Sequence, residues 1–122
     1  MKQILHIAYH PELRRNAADL LGLMGFEVLS AENGPKGIAL AKEKIPDLIL
    51  CDANMPALDG YEVLTELKKD QTASKIPFVL VVVAGAKSEE QKGLELGANA
   101  CIRKPFEVKE LFDTVQQLLK KK

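Results

Sequence analysis

Short apolar runs alternate with segments of helical period along the whole chain, and this alternation constrains the fold more than any other feature of the sequence. Apolar stretches at residues 4–8, 26–31, 48–51, 78–84 and 100–102 read as strands. After the first of them, Leu13, Ala17, Leu20, Leu21 and Met24 recur at the i, i+4, i+7, i+8 spacing of one helix face, and Gly25 stands where that helix should stop. Further helices are expected at 35–44, 58–70 and 88–96, the last opened by Ser88 and Gln91 as a capping box and closed by Gly97. Val108, Leu111, Phe112, Val115, Leu118 and Leu119 form the apolar stripe of a final helix. Such a chain builds a parallel sheet with helices on both faces, which is why the runs flanked by helices are almost wholly apolar. Right-handed crossovers leave a crevice at the carboxyl ends of the strands. Chemistry is therefore expected in the loops at 8–10, 51–54, 82–85 and 102–105.

At 122 residues and 47% hydrophobic content, the chain reads as one domain spanning 1–122 with a single continuous core. Lys+Arg 17 balances Asp+Glu 17, so no global field draws it to nucleic acid or to an anionic membrane, and a partner would be read by a local surface. Its longest apolar run, 78–84, is far shorter than the roughly 20 residues of a membrane span. The first residues have no signal-peptide layout, and a soluble cytoplasmic protein is expected. Cys51 and Cys101 lie in apolar runs without CxxC or CxxH spacing, and read as small buried hydrophobes in a reducing compartment.

Two residues at the expected crevice stand out chemically. Asp52 ends the hydrophobic run 48–51, where an aspartate alone is most simply a turn or cap residue. Lys104, however, ends the fifth strand, and its ammonium can reach the same crevice to neutralise a carboxylate or a phosphoryl oxygen. The surrounding string, DLILCDANMPALDG ending at Gly60, is similar to the phosphoacceptor segment of response-regulator receiver domains. Ile76-Pro77, the GLELGA string ending at Ala98, and Arg103-Lys104-Pro105-Phe106 fall at that family's spacings. The resemblance covers essentially the whole chain. It implies a doubly wound, flavodoxin-like α/β fold with five helices and a five-stranded parallel sheet of order 2-1-3-4-5. It further implies a phosphoacceptor at Asp52, modified by a histidine kinase or phosphotransfer protein, with Lys104 contacting the phosphoryl group through a cis Lys104-Pro105 turn. Asn54 would offer a backbone carbonyl to Mg²⁺, and Met55, Pro56 and Gly60 would shape the loop.

The departures from that family are equally specific. Receivers carry an acidic pair at the end of the first strand; here the positions hold Ala8 and Tyr9, followed by His10. Mg²⁺ is usually held by carboxylates with waters and phosphate oxygens, so no metal or other cofactor is expected. His10 suits a softer ion, and Glu12 falls in the first helical turn, facing out. Tyr9 could fill the space of the metal or shield Asp52. Val82 stands where the family has a switching Thr or Ser, and Cys101 where it has a rotating aromatic. His6, between Leu5 and Ile7, reads as a core or half-buried histidine with its hydrogen bonds satisfied, and Lys120 to Lys122 as a solvated tail.

These features define two functions. One is a non-enzymatic protein-interaction module of two-component signalling with weak or no phosphorylation. Its docking face would comprise the fourth helix, fifth strand and fifth helix, with Cys101, Arg103 and Lys109. The other is a phospho-responsive receiver modified at Asp52. In both, the partner is a histidine kinase or another signalling protein. A phosphatase of the aspartyl-nucleophile type would need a D-x-D string after the first strand, and a flavin protein a phosphate-cradling loop there. Tyr9-His10-Pro11-Glu12 provides neither.

Overall fold

The computed structural model describes residues 1–83 and 87–120; Ala84 and Gly85, assigned above to the fourth strand and its loop, and Lys121 and Lys122 of the tail lie outside them. The elements run β1 (Gln3–Ile7), α1 (Pro11–Leu23), β2 (Glu27–Ala31), α2 (Gly34–Lys44), β3 (Leu48–Asp52) and α3 (Gly60–Lys68), then a 3₁₀ turn at Ala73–Lys75. β4 (Phe78–Val83), α4 (Lys87–Glu95), β5 (Ala100–Lys104) and α5 (Val108–Lys120) complete the described residues. The strands pair in parallel in the order β2-β1-β3-β4-β5, the doubly wound order expected.

Alternation within each strand divides the interior into two cores. Leu5, Ile7, Ile49, Cys51, Leu80 and Val82 pack on the face covered by Ala41 of α2 and by Tyr61, Leu64 and Leu67 of α3. Ile4, Leu48, Leu50, Val79, Val81 and Ile102 pack on the other face, against Leu21 of α1 and Leu111 and Val115 of α5. Each large aliphatic side chain buried in this way contributes about 1.5–3 kcal/mol. The period of two also aims the site: Asp52 follows Leu48 and Leu50 onto the α1/α5 face, and a one-residue slip would turn it to the other face.

Several expected boundaries move for identifiable reasons. α3 begins at Gly60 rather than 58, because Asp59 is extended (φ −84°, ψ 178°) and forms a capping box with Glu62: each side chain accepts the other residue's backbone N–H at 2.9 Å. The box assigned to Ser88 is absent, since Ser88 already lies inside α4 and Gln91 instead donates from Nε2 to Glu95 Oε2. β5 ends at Lys104, as expected, with Arg103 and Lys104 pairing with Val82 and Val83. The apolar stripes are only partly covered. Leu13, Val108 and Phe112 stay 46%, 54% and 37% exposed, Leu13 at the recess that Asp52 also lines. Gly25 and Gly97 end α1 and α4 in left-handed backbone, φ +96° and +113°, as their positions implied.

Candidate functional site

β3 carries Asp52 to the carboxyl edge of the sheet, where it is 5% exposed. Two strands away, β5 delivers Lys104, whose Nζ lies 3.5 Å from Asp52 Oδ2, and the Lys104-Pro105 peptide is cis. Burial pushes the Asp52 carboxyl above its ordinary pKa, and the charges of Lys104 and His10 partly offset that rise. The result is a shielded carboxylate with one ammonium partner.

The loop after Asp52 folds back on the strand. Ala53 donates to the carbonyl of Val81 at 2.8 Å, and Gly60 donates to the carbonyl of Ala53 at 2.9 Å. This return brings α3 so close that a Cβ at Gly60 would collide with the Asp52 carbonyl oxygen, so only glycine fits. Within the loop Met55 is buried while Asn54 and Pro56 are exposed, and Ala57 sits at φ 68°, a left-handed conformation that strains a residue with a Cβ.

At the end of β1, Ala8 is completely buried, and its carbonyl accepts Arg14 Nη1 at 2.9 Å. The same guanidinium nitrogen donates to the Tyr9 carbonyl at 3.1 Å. A cationic side chain from α1 thus holds the loop in which receivers carry their acidic pair. Tyr9 is 48% exposed, its ring edge-on to His10. It lines a recess with Pro11, Arg14, Glu32 and Asn33, not the recess that Asp52 lines. Glu12 is exposed, and among the described residues no group of three or more His, Cys, Asp or Glu side chains is placed to hold a metal ion. Magnesium, implied by the family resemblance, therefore finds a donor set that does not fit: the Asp52 carboxylate and the Asn54 carbonyl, with no second carboxylate at the end of β1, where Arg14 engages the carbonyls of Ala8 and Tyr9.

Val82 is fully buried in the α2/α3 core and does not line the recess of Asp52. Cys101 is half-buried, its thiol 3.5 Å from the Glu90 carbonyl and its pKa pushed up to about 11 by burial and then by Glu90. Both cysteines are free thiols. Arg103 pairs with Glu90 at 3.6 Å, and exposed Lys109 with Asp113 at 2.7 Å.

Three contributors escaped the sequence reading. Arg14 is one; its partners are backbone carbonyls, which leave no residue pattern. Tyr61 is another: its hydroxyl donates to the Glu89 carbonyl at 3.0 Å, and Lys92 Nζ lies 4.5 Å from its ring centroid, tying α4 to α3. The third is His6, which is 5% exposed and lines the recess of Asp52. Contrary to the satisfied core histidine expected, its Nδ1 has no hydrogen-bond partner among the described residues. Burial first, then the charges of Lys104 and Arg14, lower its pKa to about 4.

The profile of the response regulator receiver domain family matches residues 4–116. Protein PilH of Pseudomonas aeruginosa is 33% identical over 119 residues, covering 98% of both chains. The DNA-binding dual master transcriptional regulator RpaA of Synechocystis is 33% identical over 121 residues, covering 99% of this chain and 50% of RpaA. Against the first relatives matched, this chain spans about half their length. Among solved structures, the chemotaxis protein CheY4 of Vibrio cholerae superposes with a TM-score of 0.90 at 25% identity, covering 97% of this chain and 98% of that one. No helix among the described residues is long and apolar enough to cross a membrane. With sequence and backbone agreeing from the first strand into the last helix, the chain belongs to the response regulator receiver domain family.

Proposed function

We propose that this receiver domain works in two-component signalling as a protein-interaction module whose Asp52 is phosphorylated weakly or not at all. The observation that carries this reading is the end of β1: Ala8 and Tyr9 supply no carboxylate, and Arg14 occupies their carbonyls. Phosphoryl transfer depends on positioning and on neutralising charge at the transferred group. Here Lys104 would offset that charge with the exposed His10 as its nearest help, and burial already disfavours the anionic form of Asp52.

The docking face supports the same reading. Tyr61 to Glu89, Lys92 over Tyr61, Cys101 to Glu90 and Arg103 to Glu90 fix α4 and β5 through contacts that do not include Asp52. Val82 offers no hydroxyl to a phosphoryl oxygen, and Cys101 is too small to rotate between two seats. A modification without differential contacts in two states shifts no equilibrium. The face around Cys101, Arg103 and Lys109 would then present one conformation to a histidine kinase or other signalling protein.

The retained Asp52–Lys104 pair favours a second reading, a slow but phospho-responsive receiver. Intact mass after incubation with acetyl phosphate and Mg²⁺ separates the two. The first reading expects unmodified protein and amide shifts of α4, β5 and α5 that are the same in wild type and Asp52→Asn. Stoichiometric phosphorylation, abolished by Asp52→Asn, would establish the second.

A further inference from the structure

Beneath the Asp52–Lys104 pair, a recess of about 180 Å³ opens between α1 and α5. α1 contributes Ala17 and Leu20, the sheet contributes Leu50 and Val81, and Phe106 and Leu111 form the far wall. His6 also lines the recess, and Asp52 and Lys104 bring it the charged pair of the site. A volume near 150 Å³ lined by aliphatic and aromatic groups accommodates a benzene-sized molecule. A peptide side chain carried on its backbone, or a nucleotide, needs more room.

His6 makes the recess more than a packing gap. A nearly buried imidazole whose Nδ1 has no partner among the described residues carries an unmet hydrogen-bonding demand, which is costly. Nδ1 itself is closed off, and a ligand in the recess meets the edge of the ring that lines it. Burial, and after it the positive charges of Lys104 and Arg14, disfavour a proton on the ring, and carboxylate Asp52 lies beside Lys104. The ring is therefore held neutral, with one nitrogen a donor and the other an acceptor. A mainly apolar wall with two neutral hydrogen-bonding side chains, His6 and the exposed Asn16 of α1 at the rim, suits an uncharged ring bearing a polar hydrogen. It does not suit an anion, which would lose its water against Leu50, Val81 and Leu111.

We propose that this recess is a binding site for a small, uncharged aromatic molecule carrying one hydroxyl or N–H, seated between α1 and α5 and hydrogen-bonded to His6. Although Asp52 lines the recess, binding is tested on unmodified protein, so its outcome does not depend on the functional reading above.

The probes are phenol, toluene and benzoate, followed by methyl shifts of Leu20, Leu50, Val81 and Leu111. Phenol and toluene have nearly the same shape and differ in the polar hydrogen. Wild type should bind phenol five- to tenfold more tightly than toluene, and benzoate weakly if at all. His6→Leu should abolish that preference; because the readout is a ratio, a general change in recess shape does not mimic it. Ala17→Leu, which fills the recess from α1 with a good helix former, should weaken both neutral probes at least tenfold while the thermal melt shows a folded protein. Shifts confined to other residues, equal affinity for phenol and toluene in wild type, tighter binding of benzoate, or unchanged phenol binding in folded Ala17→Leu would each overturn the proposal.

Discussion

Replacing His6 with leucine removes a buried imidazole whose pKa falls from 6.5 to about 4 in the native state, chiefly through burial and secondarily through Lys104 and Arg14. Between those two values the unfolded chain holds a proton that the folded chain does not. Stability therefore rises with pH across the window and is lost as pH falls. The linkage relation gives the size: going from pH 7.5 to 4.5, His6 alone should cost the native state about 2.5 kcal/mol. Asp52 acts with the opposite sign. Its raised pKa means the folded state takes up a proton before the unfolded one does, so acid relieves part of its burial cost. Subtracting the variant's stability from that of wild type at each pH cancels Asp52 and every other shared group. Urea unfolding monitored by circular dichroism should therefore show His6→Leu gaining about 2.5 kcal/mol on wild type between pH 7.5 and 4.5. The His6 ring protons should show no titration near pH 6.5 in the native spectrum. A difference constant to within about 0.5 kcal/mol over that range, or an NMR midpoint near 6.5, would refute the assignment of His6 as a neutral buried base.

Lys104→Gln leaves Asp52 buried without its ammonium partner; the carboxyl should titrate still higher by carbonyl ¹³C NMR, and stability at pH 7 should fall by about 1 kcal/mol, the modest figure appropriate to a lysine 35% exposed. Gly60→Ala should cost about 3 kcal/mol or more by urea unfolding, since its Cβ meets backbone at Asp52 and Ala53 rather than a side chain that can rotate away. Ala57→Gly should do the reverse, stabilising by about 0.5–1 kcal/mol by relieving a left-handed alanine, measured as a rise in denaturation midpoint at unchanged slope. Arg14→Met should lower stability by about 1 kcal/mol and speed amide hydrogen exchange around Tyr9 and His10, because two carbonyls lose their donor.

Strand–helix alternation and the positions of Asp52 and Lys104 at the ends of their strands were legible in the residues themselves because each rests on local pattern. A strand buried on both faces must be continuously apolar, and a glycine that ends a helix must be free to take positive φ. Gly25 and Gly97 behaved accordingly. Local pattern failed at helix starts. Ser88 and Gln91 have the spacing of a capping box, yet Ser88 lies inside α4, whereas Asp59, with Glu62 reaching back to it, caps α3. It failed also for exposure: Val108 and Phe112 carry the period of a buried stripe, yet both stay exposed.

The sequence by itself determined that this chain is a receiver, and that Ala8 and Tyr9 stand where acidic residues would be, since both are statements about residue identity at fixed spacing. Tertiary structure decided what takes the place of those acids and what surrounds Asp52. Arg14 reaches the carbonyls of Ala8 and Tyr9 only because α1 packs back over the end of β1. His6 lines the same recess as Asp52 only because β1 and β3 pair in a register that turns both side chains to the α1/α5 face. A hydrogen bond to a backbone carbonyl, or the burial of an imidazole, depends on groups far apart in the chain that meet after folding. Such contacts leave no periodicity in the sequence.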